Sequence, residues 1–363
     1  MKKALSVFVL ALVSIFVLAC NVTTEKEWKI VLITDVGTIT DRSFNQGTWE
    51  GVKAFGDAND IETMYFRPNA GTQADYEDAI DMVVANGANV VVTPGFLFET
   101  AVYTKQAEYP DVYFILIDGV PQLGDYTTYE VADNTVSILF QEEQSGFLAG
   151  YAAVAEGYDN LGFMGGMAVP AVVRFGIGYV AGAYYAAHAL SKTITFNAAR
   201  YEYLGNFNNE VAHTITAQSW YDAGVDVIFA AAGGAGLAVM EAAELAEKVV
   251  IGVDVDQSGE SDTVISSAMK QLAVAVQQEL TALIIDNAFN GGETLIKGAN
   301  QDAVGLPLGD SFKFNTFTLV QYQAILAQIK AGTIVVPTSG TELAAFLIAS
   351  CGSPSASALV DKV

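Results

Sequence analysis

The stretch KIVLITDVGTITDRSFNQGTWEG, residues 29–51, is the one on which the fold turns. Ile30, Val31, Leu32 and Ile33 form an unbroken apolar run inside 29–34. A run without alternation reads as a strand buried on both faces, which is how parallel sheets are built. A polar, glycine-containing turn follows, and from Ser43 a helical pattern containing Trp49, Glu50 and Gly51. Strand, turn and helix in that order open a parallel α/β protein. Asp41 or Ser43 is placed to cap the helix.

The same alternation continues in both directions along the chain. Strands are expected at 29–34, 88–93, 112–117 and 135–140, separated by helices around 43–59, 75–86 and 98–109. A second series has strands near 160–164, 201–204, 225–230 and 249–253, with helices near 172–190, 209–223 and 237–246. Further helices are expected at 271–290 and 319–331. The pattern predicts two doubly wound Rossmann-like α/β lobes with parallel sheets, the chain recrossing between them before it ends. The expected division gives 28–140 with 266–300 to the N-terminal lobe and 141–265 with 301–345 to the C-terminal lobe. A Ser- and Ala-rich tail at 346–363, poorly ordered from Gly352, completes the reading.

Length and composition agree with this plan. A chain of 363 residues with 52% apolar content is long enough for two cores. The start, Met1-Lys2-Lys3 followed by an apolar run to Ala19, has the layout of a secretory signal peptide over 1–19. Val17-Leu18-Ala19-Cys20 resembles a bacterial lipobox, so Cys20 is the expected lipidation residue, with a short tether over 20–27. Acyl chains there would anchor the protein without a spanning helix; an ordinary secreted protein is the alternative. Cys351 is the only other cysteine, which leaves no internal disulfide once Cys20 is lipidated.

The formal net charge is −24, which disfavours nucleic acid and other polyanions and leaves a neutral or cationic small ligand. Two histidines, His188 and His213, give little material for a metal site or a serine–histidine pair. No Walker loop, C-x-x-C pair or H-E-x-x-H occurs, and no motif calls for catalysis, a metal or a cofactor. Gly233-Gly234-Ala235-Gly236 follows an apolar strand and lets backbone approach a ligand closely. It fails as a dinucleotide fingerprint because Val239 stands at the third glycine position. Gly176-Ile177-Gly178 with Gly182 reads as close helix packing.

Ligands of open α/β sheets lie beyond the carboxyl ends of the strands, and two facing lobes make a cleft there. The residues to inspect are therefore Asp35, Pro94 with Gly95, Asp118, Gly205, Gly233 with Gly234, and Asp254. Phe44 and Asn45 fall in the first turn of the first helix, an aromatic plane beside an amide. A hydrophobic staple with a solvated amide is the competing reading of that pair. Phe207, in Gly205-Asn206-Phe207-Asn208-Asn209, lies just past a strand and so also faces the crevice. Arg174 is the unusual charge near the second-lobe loop, lining the crevice or solvated.

Asp41-Arg42-Ser43-Phe44-Asn45 resembles the signature of the basic membrane protein family of bacterial lipoproteins, which includes spirochaetal purine nucleoside receptors. Three further segments resemble the family in the expected order. They are Glu143 to Ala153, Gly252-Val253-Asp254-Val255-Asp256-Gln257, and Ser267-Ala268-Met269-Lys270. The resemblance implies a type I periplasmic binding protein fold, no enzymatic activity, and a purine nucleoside such as adenosine, inosine or guanosine held in the inter-lobe cleft. It implies an ABC permease and ATPase as partners. It also implies that Phe44 and Phe207 sandwich the base while Asp118 and Asn45 meet its polar edge. Asp254 and Lys270 would grip the ribose; the strand-end position of Asp35 and the reading of the Gly233–Gly236 loop as ribose-facing add Asp35 and Gly234 to the candidate ligand set. A structural ion pair is the alternative for Asp254 and Lys270, and Asp256 is open to a structural role. A sugar or another small polar metabolite is the second ligand class, a nucleoside hydrolase the remote one, and a surface adhesion role stays open.

Overall fold

The computed structural model describes residues 27–352 and 357–363. The expected signal peptide, Cys20 and all of the expected tether except Glu27 lie outside those residues. The first part of the chain runs β1 Lys29–Ile33, α1 Phe44–Asn59, β2 Glu62–Phe66, α2 Gln73–Ala85, β3 Val90–Pro94, α3 Glu99–Glu108, β4 Tyr113–Ile117 and β5 Thr135–Phe140. The second runs α4 Glu142–Glu156, β6 Leu161–Gly165, α5 Pro170–Ala189, β7 Tyr201–Tyr203, α6 Val211–Asp222, β8 Val227–Ala231, α7 Gly236–Ala246, β9 Val249–Asp254 and β10 Val264–Lys270. The last runs α8 Leu272–Ile284, β11 Thr294–Lys297, β12 Val304–Gly305, α9 Leu319–Lys330, α10 Gly340–Cys351 and α11 Ser357–Val360.

These strands form two six-stranded sheets, in the orders β11-β5-β4-β3-β1-β2 and β12-β10-β9-β8-β6-β7. Every pairing in the first sheet is parallel, and in the second only β12 runs antiparallel, against β10. The central strands are buried along their length, as in Val90–Pro94, Leu161–Gly165 and Val227–Ala231, because helices cover both sheet faces. The apolar runs therefore report the strands faithfully. The chain crosses between lobes after β5, after β10 and after β11.

Four strands lie outside the sequence expectation, each for a physical reason; β12, of two residues, is too short to leave a pattern. β2 is an edge strand whose residues Glu62, Met64 and Tyr65 are exposed, so no apolar run marks it. β11 is a four-residue edge strand. β10 is central, but its apolar run is broken by Ser266 and Ser267, both fully buried. Because β10 pairs with β9, residues 264–270 sit in the second sheet, whereas the expected division gave 266–300 to the N-terminal lobe. The expected tail from 346 is partly helical, and residues 353–356 of it lie outside the described residues. α10 buries Leu343, Leu347 and Cys351 against the second lobe, and Leu359 of α11 is buried beside it, so apolar spacing decides there over Ser and Ala content.

α4 and α5 cross in near contact through two small-residue ladders. Gly146 and Gly150 of α4 face the carbonyl oxygens of Phe175 and Tyr179, while Gly178 and Gly182 of α5 face those of Glu143 and Phe147. A Cβ at any of the four would overlap a backbone carbonyl oxygen that no side-chain rotation can move. The glycine pattern in 176–182 is therefore a packing device, as expected. Replacing Gly178 by alanine should lower the unfolding free energy by about 1–3 kcal/mol in urea denaturation, although helix propensity alone would raise it by ~1 kcal/mol. A variant at least as stable as the parent would contradict this packing account.

Candidate functional site: a cleft between the lobes

The loops that leave the carboxyl ends of the two sheets meet in one place. β1 runs into Asp35 and the turn that starts α1. That turn is built around Asp41, whose carboxylate accepts from the N–H groups of Ser43 (2.9 Å), Asn45 (3.0 Å) and Gln46 (3.1 Å). Asp41 thus satisfies the open amides at the helix start. The Ser43 hydroxyl does no capping; it donates across the cleft to Asp254 Oδ2 at 2.6 Å. Asp118 directly follows β4 and Asp254 ends β9, and both sit in the left-handed backbone region, at φ 55° and 65°. Both are aspartates, a residue type that tolerates this region, at equivalent ends of the two sheets' strands.

Asp35, Phe44, Asn45, Asp118, Phe207, Gly234, Asp254 and Lys270 all line a single cavity. It encloses about 740 Å³ of space free of protein atoms, part of it open to solvent. Its charged lining comprises the carboxylates of Asp35, Asp41, Asp118 and Asp254 and one ammonium, Lys270. Sequence reasoning missed several walls. Phe96 follows the flagged Gly95, so the strand-end rule contained it. Phe175, Val169 and Val172 come from the start of α5, where nothing distinguishes a cleft-facing apolar residue from a core one. Arg174, next to Phe175, pairs with Glu143 at 3.6 Å and lines an adjoining side pocket.

Lys270 is almost wholly buried and is the hub of the polar end. It ion-pairs with Asp118 of the first lobe, with Asp254 at 3.3 Å, and with Glu142 at 3.8 Å. Burial alone would push its ammonium down, but the three carboxylates outweigh it and hold the group above the ordinary lysine range. Burial pushes Asp118 up against the opposing pull of Lys270, and burial with the Asp118 charge pushes Glu142 well above the usual glutamate range. Asp118 Oδ1 has no hydrogen-bond partner among the described residues. The Lys270 ammonium also lies 4.5 Å from the centre of the Phe44 ring, a cation–π contact between two residues that line the cavity. Phe207 rests on Gly166 and Gly233, where a Cβ would crowd its ring.

Comparison with known proteins places this architecture. Residues 29–339 match the family model described as ABC transporter substrate-binding protein PnrA-like. The chain belongs to the PnrA-like family of ABC transporter substrate-binding proteins. Basic membrane protein D of Borreliella burgdorferi is 31% identical over 90% of this chain and 93% of its own. The ABC transporter nucleoside-binding protein BmpA of Lactococcus lactis is 28% identical over 85% and 92%. A solved ABC transporter solute-binding protein from Aeropyrum pernix shares the fold at a TM-score of 0.75, with 23% identity over 89% of this chain and 99% of that one.

A PnrA-like protein binds a substrate and transforms none, and the cleft fits that role in offering recognition groups around an enclosed space. Asn45 is tied up within it. Its amide donates to Asp35 Oδ1 (2.9 Å) and Asp41 Oδ2 (3.0 Å), and its carbonyl oxygen accepts from the Asp35 N–H (3.3 Å). The residue thus orients Asp35, whose Oδ1 also accepts from the Gly37 N–H at 2.7 Å. Burial raises the Asp35 carboxyl to about 6, against the pull of those donors and helped by the charges of Asp41 and Asp254.

This shift has a sign. A carboxyl whose folded pKa lies above its unfolded value binds its proton more tightly when folded, so it costs stability as pH rises from about 4 to about 6 and the cost persists above. Asp35→Asn keeps the Oδ1 acceptor that Gly37 and Asn45 use. It should therefore be more stable than the parent at pH 7.5, by up to ~3 kcal/mol, with the gap closing near pH 4. Thermal denaturation of both proteins across that range checks it, and a pH-independent difference would count against the account.

Proposed function

We propose that the protein is the lipid-anchored receptor of an ABC uptake system and that its ligand is a purine nucleoside. One observation carries the reading: Phe44 from the first lobe and Phe207 from the second line one cavity whose polar end is built from Asp118, Asp254 and Lys270. A flat base lies between the two rings, and stacking of this kind contributes about 1–3 kcal/mol per base. Asp118, whose Oδ1 has no partner at hydrogen-bond geometry among the described residues, accepts from an N–H on the base edge. Asp254 and Lys270 take the ribose hydroxyls as acceptor and donor. Four lining carboxylates against one ammonium repel a phosphate, which favours a nucleoside over a nucleotide. The nucleoside-binding description of the Lactococcus relative agrees with this choice.

Delivery follows from the two-lobe plan: the lobes close over the nucleoside by a hinge motion and open against a permease driven by an ATPase. No helix of the described residues is long and apolar enough to cross a membrane. Attachment rests instead on Cys20, exported behind the 1–19 signal and acylated at the Val17-Leu18-Ala19-Cys20 site.

Calorimetric titration with adenosine, inosine, guanosine, adenosine monophosphate and ribose tests the ligand. Saturable binding of at least one nucleoside is expected, with ribose and the monophosphate much weaker. Phe44→Ala and Phe207→Ala should each weaken it by about 10- to 100-fold. Absence of saturable heat with every nucleoside rejects the reading. Separately, Cys20→Ala should shift the protein from the membrane fraction of its host to the soluble fraction, and unchanged membrane association would remove the lipid anchor from the account.

A further inference from the structure

The contacts that join the lobes at the cleft rim do not all belong to the ligand site. Gln257, almost fully buried, lies just beyond the end of β9 and reaches in two directions. Its Oε1 accepts from the Val253 N–H at 2.8 Å within its own lobe, and its Nε2 donates at 2.8 Å to the carbonyl oxygen of Arg42 in the other lobe. Its backbone N–H is held by Ser267 Oγ of β10 at 3.1 Å, so the side chain is braced from behind. The turn that receives it is rigid: Arg42 sits at φ 58°, Asp41 ties down the following amides, and the Arg42 N–H donates to Gln46 Oε1 at 3.1 Å. One residue on, fully buried Ser43 sends its hydroxyl to Asp254 Oδ2. The Arg42 guanidinium meets Glu260 at 3.6 Å on the outside. Neither Gln257 nor Ser43 lines the cavity.

We infer that Gln257 and Ser43 form a closure latch, a pair of buried inter-lobe hydrogen bonds onto the 41–43 turn that sets ligand affinity without touching ligand. Both bonds exist only when the lobes are together, because each joins one lobe to the other. In the open form Gln257 Nε2, the Arg42 carbonyl and the Ser43 hydroxyl turn to water, so each bond adds a modest net bias to the closed form. A bias of that kind changes apparent affinity through the population of the binding-competent state and leaves discrimination among ligands untouched. The surface pair of Arg42 and Glu260 adds little, being half-exposed on the Arg42 side.

The affinity arm of this inference rests on the nucleoside reading above; the geometric arm does not. Gln257→Glu keeps the acceptor for Val253 while setting a carboxylate against the Arg42 carbonyl oxygen, and Ser43→Ala deletes the second bond. Spin labels on exposed Asp57 of the first lobe and exposed Glu247 of the second report the inter-lobe distance at pH 8, with and without nucleoside. Both variants are expected to lengthen the ligand-free distance distribution. Both should weaken every nucleoside by the same factor, about five- to tenfold, mostly through faster dissociation. Should Gln257→Glu fail to fold, Ser43→Ala carries the test. Distance distributions identical to the parent in the variants that fold overturn the latch, as does a reordering of nucleoside preference, which would make these residues ligand contacts. If no nucleoside binds the parent, the proposed function fails and the distance measurement alone decides the latch.

Discussion

The buried ammonium of Lys270 is the interaction on which the rest of the cleft depends. It is delivered by the last residue of β10 in the second sheet and ion-pairs with Asp118 at the end of β4 in the first. Asp254 and Glu142 crowd the same charge from the second lobe. Three carboxylates this close would repel one another and pull in water without a cation among them, and a lone lysine would be costly to bury. Each side is tolerable only because of the other. Since the pairing spans the lobes, the electrostatics of the site and the closed geometry of the molecule are one problem with one solution. The Phe44 ring, 4.5 Å from the same ammonium, is held by it as well.

The hinge obeys a related symmetry. The chain leaves β5 through Gln141 into α4 and leaves β10 through Gln271 into α8, and the two glutamines share nearly the same backbone conformation, φ/ψ −93°/69° and −80°/60°. The Gln141 N–H donates to the Lys297 carbonyl and the Gln271 N–H to the Ala303 carbonyl, so each crossing is bonded to the third. Glu142 and Lys270 are the immediate neighbours of these hinge glutamines, which places the ion cluster beside the pivot, where a small rotation changes its distances least. The rim contacts of Arg42 and Ser43 lie at the other end of the lever.

Most of the scaffold was legible because a strand covered on both faces must be apolar throughout, and β1, β3, β4, β5, β6, β8 and β9 announce themselves in that way. The rule fails where a strand has one neighbour or none on a face, as at β2, or where a central strand carries polar residues for a local purpose. β10 is the instructive case, since Ser267 interrupts the apolar run and its hydroxyl braces Gln257. The site was legible by position: Asp35, Asp118, Gly234, Asp254 and Phe207 all follow strands, and all reach the cavity. Lys270 was visible only through the family resemblance, because its strand was not. Glu142 was not visible at all, for a glutamate in a first helical turn is almost always solvated, and only the tertiary fold shows it buried.

Asp254 draws the two levels together. Its Oδ2 accepts from Ser43 and its Oδ1 faces Lys270, yet each carboxylate oxygen carries two acceptor directions, so capacity remains toward the cavity that it lines. The same carboxylate therefore serves the closed form of the protein and the space where a ligand sits. A ligand hydroxyl that donates to Asp254 meets it already oriented when the lobes are closed, and pays to orient it when they are open. By linkage, whatever favours closure favours such a ligand, and the ligand favours closure by an equal free energy. On the proposed latch, Ser43 would influence affinity from outside the cavity lining, and the turn that caps α1 is also where the second lobe takes hold.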